Sequence, residues 1–203
     1  MTRKTGVVLG GVMWLMLWSP LVWAISVRTV NIQEMVDLSG TIFYGRCLSA
    51  VDAVAESGLG IRTYRFLVLD GLKNAEAGQT IEFREVSSMG EGVTIPGIPQ
   101  FQKGQELLLF LHAESKSGLT SPVGIQQGVF RAEPLQDGEI GFTNGFGNRN
   151  LNYEMKPQVQ AQAGLQGLEV QALGSGAPVP LSVFRDVVKK LDRSSDQTQG
   201  RVQ

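Results

Sequence analysis

Five consecutive apolar residues, 107–111, follow a Lys103-Gly104 turn and end at His112. A surface helix needs a polar face every 3.6 residues and a half-exposed strand alternates, so an unbroken apolar run this short predicts a strand covered on both faces. The rest of the chain must then supply two layers of cover. Its other extended segments alternate apolar with polar residues and are separated by glycine-rich turns, which predicts neighbours in a closed or nearly closed sheet. One long strand is expected over 41–54, with Gly45 where the strand bends or bulges. A second spans 61–69, with Tyr64, Phe66 and Val68 on one face and Thr63, Arg65 and Leu67 on the other. Residues 80–86 follow, Ile81 and Phe83 alternating with Glu82 and Arg84. Beyond the apolar run, 119–125 is expected to be extended, and 128–135 with 139–143 to form a hairpin about Asp137-Gly138.

Two helices accompany these strands. Asn31 and Glu34 form a capping box before Ile32, Met35 and Val36, and Ser39-Gly40 ends that short helix. Near the other end, Leu181, Phe184, Val187, Val188 and Leu191 share one helical face, with Pro180 and Ser182 at the start and Lys189 and Lys190 suiting the C-terminal dipole. A helix of so few turns rarely persists without tertiary packing, so it is expected to dock on the sheet. Between them, 157–180 is rich in Gln, Gly, Ala and Pro and is expected to be a linker, while 193–203 is polar and expected to be disordered.

The first 24 residues read as a secretory signal peptide. Arg3 and Lys4 give a positive start, 6–18 an apolar core, and Val22-Trp23-Ala24 a small-x-small cleavage site. The apolar run is shorter than a membrane span and Pro20 interrupts its end, so no transmembrane segment is expected after cleavage. The mature chain would begin at Ile25. Removing Arg3 and Lys4 leaves 16 basic against 19 acidic residues, a net charge of −3 without any basic run, which argues against nucleic acid as a partner. The domain boundaries follow: signal peptide 1–24, β domain 25–156, linker 157–180, C-terminal helix 181–192 and tail 193–203. Cys47 is the single cysteine, so stability rests on the apolar core, and its place two residues beyond Gly45 on a strand face predicts a buried, inert thiol.

The motifs of familiar enzyme classes are missing: there is no paired-histidine zinc helix, no Gly-x-Ser-x-Gly elbow, no phosphate loop and no Gly-x-Gly-x-x-Gly after a strand. His112 is the only histidine, at a strand end beside solvent, and the alternative is a base partnered by Glu82, Glu85, Glu91 or Glu106. No metal or cofactor is expected. Two irregular stretches offer binding surfaces instead. The first, 87–100, carries Met89 and Ile95 among glycines and prolines; the second, 143–150, carries Phe146 and Arg149 among turn-forming residues, a composition shared by adaptable recognition loops and flexible hairpin ends.

Gly45-Arg46, Tyr64-Arg-Phe-Leu-Val68 with Leu72-Lys73, Ile95-Pro-Gly-Ile-Pro-Gln-Phe101, Lys103 to Leu111 and Gln127-Gly-Val-Phe-Arg131 together resemble a group of uncharacterised bacterial exported proteins. Their barrel is similar to the OB-like fold of tissue inhibitors of metalloproteinases. The resemblance covers roughly residues 27–131 and the terminal helix, and it implies a small antiparallel OB-like β-barrel, mainly β, with loops offered for binding. Those inhibitors chelate a protease zinc through an N-terminal cysteine held by disulfides, which a chain starting at Ile25 with a lone Cys47 lacks. The expected function is an exported, non-enzymatic binding module with a protein partner in the envelope or outside the cell. The alternatives are a hydrolase using His112 with a carboxylate, and an accessory protein of an envelope or secreted protease.

Overall fold

The computed structural model describes residues 28–87, 97–165 and 167–199, with side chains to 194. The expected signal peptide and the candidate residues Met89 and Ile95 lie outside the described residues. The order is α1 (Ile32–Leu38), β1 (Ser39–Val54), β2 (Gly60–Lys73), β3 (Thr80–Val86), β4 (Glu106–His112), β5 (Val129–Pro134), β6 (Ile140–Asn144), α2 (Pro157–Gln162), α3 (Gly167–Gly174), β7 (Val179–Pro180) and α4 (Leu181–Gln199). The strands form one antiparallel sheet in the order β3-β2-β1-β4-β5-β6-β7.

The apolar run is β4, and it is covered on both faces. Leu108 and Phe110 enter one core with α1 residues Ile32, Met35 and Val36 and α4 residues Phe184, Val187, Val188 and Leu191. Leu107, Leu109 and Leu111 enter a second core with Phe43 and Cys47 of β1, Tyr64, Phe66 and Val68 of β2, Phe83 of β3, and Phe101. Burial pushes the Cys47 thiol pKa up, in keeping with a packing role. The long strands bend between these layers. Register shifts fall between Tyr44 and Gly45 and between Cys47 and Ser49, and a Cβ on Gly45 would stand 2.7 Å from the Leu67 carbonyl oxygen, so only glycine fits that bend. The Asn31–Glu34 capping box starts α1 as expected.

The chain is mainly β and its sheet antiparallel, as expected, but the sheet is not closed into a barrel. The segment 119–125, expected to be a strand, lies between β4 and the free edge of β3. Pro122 limits it to one bridge with Leu111, and the chain then turns through positive φ at Gly124 (61°) and Ile125 (61°). Among the described residues a single backbone bond crosses the seam, from the Thr120 N–H to the Arg84 carbonyl at 2.8 Å. A cleft of about 330 Å³ remains beside it, lined by Ile81, Phe83, Arg84, Leu111 and His112 among others. At the opposite end, β7 is two residues long and includes Pro180, which cannot donate to a further strand.

Two other expectations are corrected. Residues 157–180 are not a bare linker: they form α2, α3 and β7, with Ala163, Leu165, Leu173 and Val179 buried in the first core. The terminal helix does not stop at 192 but continues to Gln199, into the stretch expected to be disordered. Among the described residues, 28–30 belong to no strand.

Candidate functional site

Strand register decides which side chains share the floor of a cleft over β4, β5 and β6. Leu107 lies opposite Arg131, Arg131 opposite Thr143, and Leu109 opposite Val129, so these side chains project from one face of β4, β5 and β6. Phe130, Ala132 and Phe142 take the other face and pack in or against the first core. A cleft of about 570 Å³ stands on the outer part of the shared face. Its floor is Leu107, Val129, Arg131, Glu133 and Thr143. One wall is Ile98, Pro99, Gln100 and Phe101; the other is Asn144, Gly145 and Gln126. The described end of the first irregular stretch and the start of the second therefore meet here. The Gln126 side chain reaches the Gly97 carbonyl at 3.4 Å.

The cleft mixes an apolar floor with amides and charges. The Thr143 hydroxyl donates to Glu133, while Arg131 has no ion-pair partner among the described residues. That residue and Glu133 were not singled out from sequence, although their alternation with Phe130 and Ala132 along β5 was a readable signal.

Phe146 and Arg149 stand outside the cleft. Phe146 is 47% exposed, and Arg149 is exposed and lies beside Gly176. The loop that carries them is bonded internally and to its surroundings by buried asparagines. The N–H groups of Phe146 and Asn148 both donate to Asn144 Oδ1 at 3.0 Å, and the Asn144 N–H donates to Asn148 Oδ1 at 3.0 Å. Asn148 Nδ2 donates to the carbonyls of Phe142 and Ala177, each at 2.8 Å. Asn144 Nδ2 donates to the Gln127 carbonyl and to Asn150 Oδ1, and Asn150 Nδ2 reaches the Val30 carbonyl at 2.7 Å. Gln127 completes the set by accepting from the Val30 N–H and donating to the Arg28 carbonyl. Gly147 and Asn148 both take positive φ (60°), a conformation asparagine tolerates better than most residues. Removing one of these buried amides would strand its partners, at about 1–3 kcal/mol for each unsatisfied group.

Of the candidate carboxylates, Glu85 shares a cavity with His112, without a hydrogen bond between them. His112 Nδ1 is 3.2 Å from the Leu38 carbonyl, and no carboxylate is hydrogen-bonded to the ring among the described residues. Glu106 accepts from Tyr44 and Arg46, which hold its carboxyl below the usual range. Glu82 faces Arg65 at 3.8 Å, and Glu91 lies outside the described residues. Glu85 lies near the end of β3, with burial pushing its carboxyl up to about 8. No group of three or more histidine, cysteine, aspartate or glutamate residues is placed to hold a metal ion among the described residues. No helix there is long and apolar enough to cross a membrane.

No protein-family model, no curated protein and no solved structure matches the chain.

Proposed function

We propose that the protein is an exported, non-enzymatic module that binds a segment of polypeptide in the cleft between residues 98–101 and 143–145. The observation that supports this most is the meeting of the two irregular stretches over one sheet face. The apolar floor of Leu107 and Val129 suits a side chain of the partner, and Gln100, Gln126 and Arg131 suit the amides, carbonyls and carboxylates of a peptide. Phe146 and Arg149, held out by the asparagine framework, are aromatic and guanidinium groups of the kind that anchor interfaces beside such a cleft. The resemblance to exported bacterial proteins with OB-like barrels supports both the export and the use of loops. The hydrolase reading is the alternative; no hydrogen bond joins His112 to a carboxylate among the described residues, which does not favour it.

The test is capture of a partner from the periplasmic or secreted fraction, where detection of a chain beginning at Ile25 also tests the export. Arg131→Ala and the pair Phe146→Ala with Arg149→Ala are each expected to weaken capture by about tenfold or more, with the circular dichroism and melting temperature nearly unchanged. Capture that survives both sets of substitutions removes the cleft from consideration.

A further inference from the structure

The inward face of β3 runs Ile81, Phe83, Glu85, so a carboxyl takes the place where the apolar period would put another core residue. Glu85 is 5% exposed, and its Oε2 is buried without a hydrogen-bond partner. Arg62 is directly opposite on β2, yet its guanidinium is committed to Asp52 through two bonds of 2.7 and 2.6 Å. A buried carboxyl left without a donor is costly, and in native structures such a group calls for an explanation.

Glu85 also lines a cavity of about 480 Å³ between the end of β3 and the turn after β4. The walls are largely apolar, with Val86, Ile98, Leu119 and Ile125, and His112 is the other ionisable group there. The Leu38 carbonyl can only accept, so His112 Nδ1 carries the proton in that contact. The Thr120 hydroxyl is occupied in donating to the His112 carbonyl. A cavity of this size, with largely apolar walls and a buried carboxyl whose Oε2 has no hydrogen-bond partner, has the make-up of a small-molecule site.

We propose that this cavity binds a small organic amine, its ammonium paired with Glu85 and its hydrocarbon body against Ile98, Leu119 and Ile125. The free carboxyl is neutral at pH 7 because burial raises it to about 8, against the opposing field of Arg62. Below that pH the ammonium replaces the carboxyl proton, which passes to solvent, and the charge of the site is conserved as the ligand's cation neutralises the carboxylate. The other ionisable side chains around the group are Tyr64 on β2 and His112 on β4. Ile98 is shared with the polypeptide cleft; the remaining lining differs, so each reading can fail without the other.

Benzylamine is the probe, with benzyl alcohol as its neutral counterpart, titrated calorimetrically into the full chain in buffers of different ionisation enthalpy. Saturable benzylamine binding is expected at pH 7 with release of about one proton, tightening by up to about tenfold per pH unit between 6 and 8 and levelling above. Benzyl alcohol is expected to bind at least about tenfold more weakly, and Glu85→Gln to abolish benzylamine binding with the circular dichroism retained. Ala113→Leu, at an exposed residue of the lining, is expected to weaken binding by crowding the cavity, and with the proton count it decides the matter if the glutamine variant does not fold. Absence of saturable binding, equal binding of the alcohol, or unchanged binding by Glu85→Gln would each overturn the proposal.

Discussion

Glu85 ties the stability of the fold to pH, and the sign follows from its raised carboxyl. Its ordinary value is 4.5, and desolvation, opposed by Arg62, carries it to about 8 in the folded chain. Between those values the folded state keeps a proton that the unfolded state has released. The contribution is therefore fully present below 4.5, is lost as pH rises through the window, and changes no further above 8. Glu85→Gln keeps the shape without the ionisation, so it is expected to exceed the parent in stability by up to roughly 4–5 kcal/mol at pH 8.5 and to match it near pH 4.5. Urea unfolding at both pH values measures this. A variant destabilised equally at both would show that the carboxyl is needed structurally. The pattern that exposes Glu85 was present in the sequence, since Ile81 and Phe83 already mark the inward face. What the sequence hides is the absence of a partner, because Arg62 has both a carboxylate on β1 and one on β3 within its reach and turns to Asp52. Cys47 was easier to read: period two along β1 places it inside, and it is inside.

At the scale of elements, α4 follows from spacing alone. Phe184, Val187, Val188 and Leu191 are fully buried along the stripe that their sequence separation defines, and Phe184 sits 5.0 Å from Phe130, 6.2 Å from Phe142 and 6.3 Å from Phe110, measured between ring centroids. Phe184→Ala is expected to cost about 3–5 kcal/mol, because the three rings around it belong to different strands and cannot all close on the space. Thermal melting of the purified protein tests the value, and an unchanged melting temperature would show that the helix is not a structural cover. The elements that sequence reading missed lack such local patterns. The stretch 119–125 looks extended until Pro122 and the backbone turns at Gly124 and Ile125 are known, and these are tertiary choices. In 157–180 single apolar residues, Leu165, Leu173 and Val179, are scattered among Gln and Gly, so only the core they enter reveals why α2, α3 and β7 form. The asparagines of 144–150 read as turn formers, and their side-chain bonds to Val30, Phe142 and Ala177 are contacts between distant parts of the chain.

For the whole molecule, adjacent hairpins such as β1 with β2 and β5 with β6 come from neighbours in sequence, whereas β1 beside β4 and α1 beside α4 join distant segments. The first core draws on residues from Val30 to Leu191. Its largest cover, α4, is also the last element of the described chain to be synthesised. During translation the meander of β1, β2 and β3 can pair early, but the face of β4, β5 and β6 that holds Phe110, Phe130 and Phe142 stays wet until Phe184 arrives. A chain ended at Pro180 is expected to lose its cooperative thermal transition, and a separate peptide of residues 181–199 to restore it at saturating concentration. A sharp transition in the shortened chain at the parent temperature would refute this order. The first core is thus closed by the element that follows all its strands, and until α4 has left the ribosome the nascent chain stays open, and so able to be threaded or degraded.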